Sequence, residues 1–259
     1  MIFGRNPELN REESVDAQGA TTARVKLDMN VGTLRLAGGA PNLMDARFEY
    51  SQGVEPRVEY AVVGGHGELR VDQPSMPKSL KVTRNRWDIR LNDRLPLDLE
   101  IDNGAGEAEI NASALSLTSF ELDQGAGEAE VKLNGDQLRL AKVKAEVSAG
   151  RLELDMRGAY PVMREMRFES AAGQIKLDLT GEWASEVDIK IEVAAGEVVV
   201  KLPKTVNIDA TANTTIGRVN ARGLLVDGDH YRLEVPGAAG LLRLKAVANV
   251  GQIVLKVTD

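Results

Sequence analysis

Apolar and polar residues alternate with period two over much of the chain, and a glycine breaks the alternation every 21 to 23 residues in its later part. Val25, Leu27 and Met29 open the pattern, and Leu34 and Leu36 resume it beyond Gly32. Ala129, Val131 and Leu133 follow Gly127, and Leu152, Leu154 and Met156 follow Gly150. Val143, Ala145 and Val147 precede Gly150, as Val187, Ile189 and Ile191 precede Gly196. Period two places these apolar residues on one face of a strand and Glu, Lys, Asp and Arg on the other. No stretch of helical length carries a clean 3.6-residue period, and only short pieces such as residues 39–46 have room for one helical turn. The chain reads as all-β.

The glycines belong to a repeat. Gly104-Ala105-Gly106-Glu107-Ala108-Glu109-Ile110 returns 21 residues later as Gly125-Ala126-Gly127-Glu128-Ala129-Glu130-Val131. Looser copies begin at Ala149-Gly150, Ala172-Gly173, Ala195-Gly196, Ile216-Gly217 and Val250-Gly251. Gly106, Gly127, Gly150, Gly173, Gly196 and Gly217 are separated by 21, 23, 23, 23 and 21 residues. A period of this size is that of coils stacked in parallel, with each glycine at a corner where a side chain does not fit. The stack predicts one interior ladder of Ala108, Ala129, Leu152, Ile175, Val198 and Val219. The right-handed preference of parallel crossovers makes a right-handed β-helix the default. The alternative is a β-sandwich, with Ile101 to Glu107 as a hairpin loop, because Asn103-Gly104 favours a tight turn. Regular spacing favours the single, continuous parallel β-solenoid.

The polar residues 1–20 read as a flexible arm. Residues 21–97 form a less regular β section, with Pro74, Pro77 and Pro96 marking loops or protected edges, and residues 98–259 carry the repeats. The stretch from Arg24 to Leu36 with the motif Val31-Gly-Thr-Leu-Arg-Leu-Ala-Gly-Gly39, then Leu43-Met-Asp-Ala-Arg-Phe-Glu-Tyr50 and Pro56-Arg-Val-Glu-Tyr60, resembles the toast-rack N-terminal domain (DUF2154-like). The later Ala-Gly-x-φ-x-φ units resemble the adhesin-like, DUF4097-like β-solenoids found beside it, including those of LiaF-type envelope-stress regulators. The two resemblances cover nearly everything after residue 20. They imply an envelope-associated sensing or adhesion role and carry over no catalytic residue.

Hydrophobic residues make up 43% of the chain and aromatics only 4%, which suits a narrow interior of aliphatic layers. The net charge of -7, from 32 basic and 39 acidic residues, gives no support to a nucleic-acid partner. There is no cysteine, hence no disulfide or thiol chemistry. No apolar run approaches the roughly 18 residues of a transmembrane segment, and no signal peptide opens the chain, which leaves both bacterial cell envelope and cytoplasm open as locations.

Glu107, Glu109, Glu128, Glu130 and Glu153 are the candidate metal ligands. In a parallel stack, equivalent residues on adjacent coils lie about 4.8 Å apart, which puts Glu109, Glu130 and Glu153 in one outward column and Glu107 beside Glu128 in another. A divalent cation would relieve their repulsion, but Arg151 and Lys176 continue the two columns and supply opposite charge. His66 and His230, the only histidines, are expected in exposed loops. Gly64-Gly65-His66-Gly67 lacks a Lys-Ser/Thr partner and reads as a turn rather than a phosphate loop. Tyr160, Met163, Met166 and Trp183 lie between repeat glycines and are expected to cover the side of the stack. Leu224 to Val226 or Leu241-Leu242 would cap the last coil, and an uncovered Val250 to Val257 would expose an open strand edge. With no catalytic motif and no cofactor pattern, the chain reads as a non-catalytic structural or protein-interaction module. Its expected partner is another protein, or a second copy through a solenoid end. The alternative is a carbohydrate-binding or polysaccharide-acting solenoid built on paired carboxylates.

Overall fold

Each repeat glycine lies inside a long strand that continues through it. A computed structural model describes residues 8–74 and 84–258, in which the chain forms strands only. These are β1 (Glu8–Val15), β2 (Thr22–Met29), β3 (Gly32–Gly38), β4 (Met44–Ser51), β5 (Arg57–Val63), β6 (His66–Asp72), β7 (Asn85–Leu91), β8 (Leu97–Asn111) and β9 (Leu117–Lys132). There follow β10 (Lys142–Asp155), β11 (Ala159–Tyr160), β12 (Glu165–Asp178), β13 (Glu182–Trp183), β14 (Glu186–Pro203), β15 (Asn207–Arg222), β16 (Leu225–Asp227), β17 (His230–Leu233) and β18 (Leu241–Thr258).

β8, β9, β10, β12 and β14 pair in sequence order, all parallel, with glycine opposite glycine. Burial alternates on both sides of each glycine and changes phase across it: Leu97, Leu99, Ile101 and Asn103 are buried before Gly106, and Ala108 and Ile110 after it. One residue of phase is absorbed at the corner, so both halves of the strand keep their apolar side inward. Ala108, Ala129, Leu152, Ile175 and Val198 are register neighbours and all are buried, as the repeat predicts. Asn103-Gly104 is therefore the inside of a corner and not a hairpin loop. The Asn103 side chain donates to Gln124 Oε1 at 2.9 Å within the stack. The result is an all-β, solenoid-like stack.

The connections between long strands contribute the rest of the interior, including Leu133, Leu140, Met156 and Leu179. Tyr160, Met163, Met166 and Trp183 are buried as expected. The Tyr160 and Trp183 rings stack with centroids 4.5 Å apart where β11 pairs with β13.

The C-terminal end departs from sequence order. β18 pairs with β14 on one side and β15 on the other, so Ile253 lies between Val198 and Val219. The reason is apolar content. β18 brings Leu242, Leu244, Ala246, Ala248, Ile253 and Leu255 to buried positions, whereas β15 offers only half-buried Val219 and Ala221 beyond its corner. The better hydrophobic strand takes the inner layer. Val250 to Val257 is thus covered, and the free edge falls on β15. The run at Leu224 to Val226 contributes β16, which with β17 continues the first half of β15 as an antiparallel hairpin.

At the other end, β2 and β3 act as one broken coil: β2 pairs with the first half of β8 and β3 with the second. β7, β4 and β1 extend the second face, and β6 and β5 the first. Residues 8–15, read as part of a mobile arm, are ordered because their pairing with β4 buries Val15 against the core. Residues 39–43 form loop and 44–46 open β4, so no helical turn forms there. Pro74 and Pro96 lie in loops, while Pro77 is outside the described residues.

A Cβ on Gly150 would stand 1.8 Å from the carbonyl oxygen of Gly127, and its φ is +136°. Gly150→Ala is expected to destabilise the protein by about 4 kcal/mol or more, read as a lower urea midpoint. Ser148→Ala, two residues away on the exposed side, is expected to stay within about 0.5 kcal/mol.

Candidate functional site

The five glutamates of the repeat lie where the stack puts them. Glu107 is in register with Glu128 and then Arg151, and Glu109 with Glu130, Glu153 and then Lys176. Cations fill the gaps. Arg35, on β3, places Nε 3.0 Å from Glu109 Oε2. Lys132 Nζ lies 2.7 Å from Glu130, and Lys176 Nζ 2.9 Å from Glu153. Arg151 approaches Glu153 to 3.6 Å. Among the described residues no group of three or more His, Asp or Glu side chains is arranged to hold a metal ion.

A longer carboxylate column runs up the first face. Asp72, Asp28, Asp102, Asp123, Glu146, Glu169 and Glu192 are register neighbours on β6, β2, β8, β9, β10, β12 and β14. From Asp28 to Glu192 each stands four positions before its corner glycine, a constant offset readable in the sequence once the repeat is aligned. Two positions earlier runs a second column, in which Lys144, Arg167, Lys190 and Lys245 are consecutive cations. The columns cross-pair: Arg167 bonds Glu169, and Lys190 Nζ lies 2.9 Å from Glu192. Below them Lys26 and Arg24 hold the Glu100 carboxyl under the usual carboxylate range. Asp102 moves the opposite way. Partial burial pushes its carboxyl up, and the flanking Asp28 and Asp123 add repulsion.

A groove of about 670 Å³ crosses the second face, between β1, β4, β7, β3, β8 and β9. Arg35, Arg47, Arg90 and Lys132 alternate in it with Asp45, Asp88, Glu109 and Glu130, and no Trp, Tyr or Phe lines it. His66 and His230 are exposed strand residues on β6 and β17, not loop residues, and they lie at opposite ends of the stack. Gly64-Gly65 forms the turn between β5 and β6.

At the C-terminal end the corner of the stack becomes apolar and exposed. The corner position before each repeat glycine is alanine in Ala105, Ala126, Ala149, Ala172 and Ala195, then becomes Val250 and Ile216 in the last two layers. Val250 is 49% exposed and Ile216 66%. Leu225 and Val226 of β16 are exposed as well, on the first face, two strands out from Asp209 and Ala210. Among the described residues no strand pairs with the outer edge of β15 from Ile216 to Arg222. This end was expected from the repeat, but its strand was not, because the inner position of β18 is set by tertiary packing.

A stack of this kind is that of an all-β, solenoid-like repeat protein. The model of the N-terminal domain of toast_rack, DUF2154, matches residues 4–155, more than half of the chain, and the protein belongs to that family. Its fold is similar to that of a "putative cell adhesion protein" from Clostridium sporogenes ATCC 15579, with 24% identity, 97% of this chain and 100% of that chain covered, and a TM-score of 0.50. More distant are a "putative adhesin" from Bacteroides fragilis NCTC 9343, at 13% identity, 98% coverage of both chains and TM-score 0.42, and a "putative lipid binding protein" from Parabacteroides distasonis ATCC 8503. The last is 11% identical, covers 99% of this chain and 98% of its own, and has a TM-score of 0.42. At these identities the likeness is one of fold. No curated protein matches the chain. No helix among the described residues is long and apolar enough to cross a membrane.

Because the folded state holds Asp102 above its ordinary pKa, ionisation of Asp102 costs stability at pH values above that raised pKa. The cost disappears as pH falls below the ordinary carboxylate range. Asp102→Asn is therefore expected to raise Tm slightly at pH 7 and to leave it unchanged near pH 3, in thermal melts at both pH values. Calcium and EDTA are expected to give the same Tm for the wild-type protein, since cations already flank Glu109, Glu130 and Glu153.

Proposed function

We propose that the protein is a non-catalytic adhesion module of the bacterial cell envelope that binds another protein through the C-terminal end of its stack. Residues 98–259 serve as a right-handed, DUF4097-like solenoid, and residues 21–97 as the toast-rack-like section that closes its other end. One observation carries the reading: the long faces are tiled with paired charges, whereas Ile216 and Val250 bring apolar side chains to the surface at the corner of the last two layers, where no described strand pairs with the outer edge of β15. Exposed apolar surface at a strand edge is a liability unless it is used. The fold shared with a structure described as a cell adhesion protein agrees with this role. A carbohydrate-acting role needs an aromatic platform beside paired carboxylates; Tyr160 and Trp183 are instead stacked in the interior, and the large groove has no aromatic lining.

The test is co-sedimentation of the full chain with bacterial envelope fragments, intact and protease-treated. Binding to intact fragments, its loss after protease treatment, and a reduction of about tenfold in affinity (about 1.4 kcal/mol) in the double variant Ile216→Glu, Val250→Glu are expected. Equal binding to protease-treated fragments contradicts a protein partner.

A further inference from the structure

We infer that two copies of this chain join tail to tail, with β15 of one pairing antiparallel to β15 of the other about a two-fold axis at Val219. The inference rests on the open end being a contact surface, and it names what occupies it.

The two ends of the stack are not equivalent. At the N-terminal end the inward positions of edge strand β1 include Arg11 and Glu13, opposite buried Phe48 and Ala46 of β4. Arg11 bonds Glu13, and its Nη1 donates to the Pro56 carbonyl at 3.0 Å. Inward charges on an edge strand block the addition of another apolar layer. A head-to-tail contact would bury that ion pair against Val219 and Ala221. The outer edge of β15 carries no such guard: its inward residues beyond the corner are Val219 and Ala221, both half-buried for want of a covering layer.

A second copy fits this edge in an antiparallel register centred on Val219. Centred on Val219, antiparallel pairing sets Arg218 opposite Asn220, Ile216 opposite Arg222 and Gly217 opposite Ala221. Moving the centre to 218 sets Arg218 opposite Arg218, and moving it to 220 sets Arg218 opposite Arg222. Directly opposed like charges destabilise a strand pair. A slip by one residue turns Val219 and Ala221 outward. The register at 219 avoids both faults, places the two Val219 side chains together, and lays the Arg222 stem over Ile216. The β16–β17 hairpin covers only Ile208 to Thr211 of the same strand, and the two-fold axis carries the partner's hairpin past Arg222, away from the first. The contact is isologous, burying the same edge of β15 in each copy, so it closes at two.

Light scattering of the full chain through the micromolar range is expected to show a mass rising from 28.0 kDa toward twice that value. Val219→Lys, which installs an inward charge like that of β1, is expected to stay monomeric with an unchanged far-ultraviolet spectrum. Val63→Lys, at a 77% exposed site on the opposite end, is expected to dimerise normally. The chain has no cysteine, so single replacements report the register. Val219→Cys is expected to give a disulfide-linked dimer on mild oxidation, and Ala221→Cys, facing Gly217, is not. A monomer at every concentration, a dimer that survives Val219→Lys, or equal cross-linking at 221 overturns the inference. A monomeric wild-type chain that still sediments with envelope fragments overturns the dimer alone; a dimer that does not sediment overturns the envelope role and leaves the dimer standing.

Discussion

The whole stack depends on backbone meeting backbone at one corner. At Gly106, Gly127, Gly150, Gly173, Gly196 and Gly251 a Cβ would stand between 1.7 and 2.0 Å from the carbonyl oxygen of the preceding layer. No side chain survives there, so the corner both selects glycine and locks each layer in register with the one beneath. Once that register is set, every residue at a fixed offset from the glycine lies beside its equivalents. Interior columns such as Leu152, Ile175 and Val198 follow from it without further instruction.

The same register creates an electrostatic problem on the outside. Carboxylates at one offset must form a column about 4.8 Å apart, and seven of them do, from Asp72 to Glu192. The adjacent cation column answers much of the repulsion, through Arg167 with Glu169 and Lys190 with Glu192. Such pairs are exposed and individually weak. Their value is in keeping two long like-charged columns compatible with a stack whose stability comes from its aliphatic layers. Asp102, raised by burial and flanked by Asp28 and Asp123, marks where the compensation is incomplete.

A stack that grows by register must also stop, and the two ends stop differently. Inward charge on β1 guards the second face at one end. The other is finished by a hairpin on the first face and left bare on the second, where the corner residue has grown from alanine to valine and isoleucine. The proposed contact follows from that asymmetry rather than from any cavity.

Much of this was legible in the chain itself. Glycine spacing identified the corner, period-two alternation identified the inner face, and five of the six predicted ladder residues are neighbours. The glutamate columns and the continuing Arg151 and Lys176 also lie where the repeat predicted. The longer acidic column was present in the sequence at an offset of four, but was hidden because it changes from Asp to Glu at Glu146 and begins at Asp72 and Asp28, outside the regular repeat. The order of the last layers was not legible: Gly196 and Gly217 have the spacing of neighbours, yet β18 lies between them. The pairing of β1 was equally hidden, since ELNREESV is polar and alternates only weakly. Local pattern determines which residues can form a layer and which side of it faces inward, because those depend on backbone geometry within one strand. Which layer lies next to which depends on how much apolar surface each can bury against all the others, and only the assembled stack decides that.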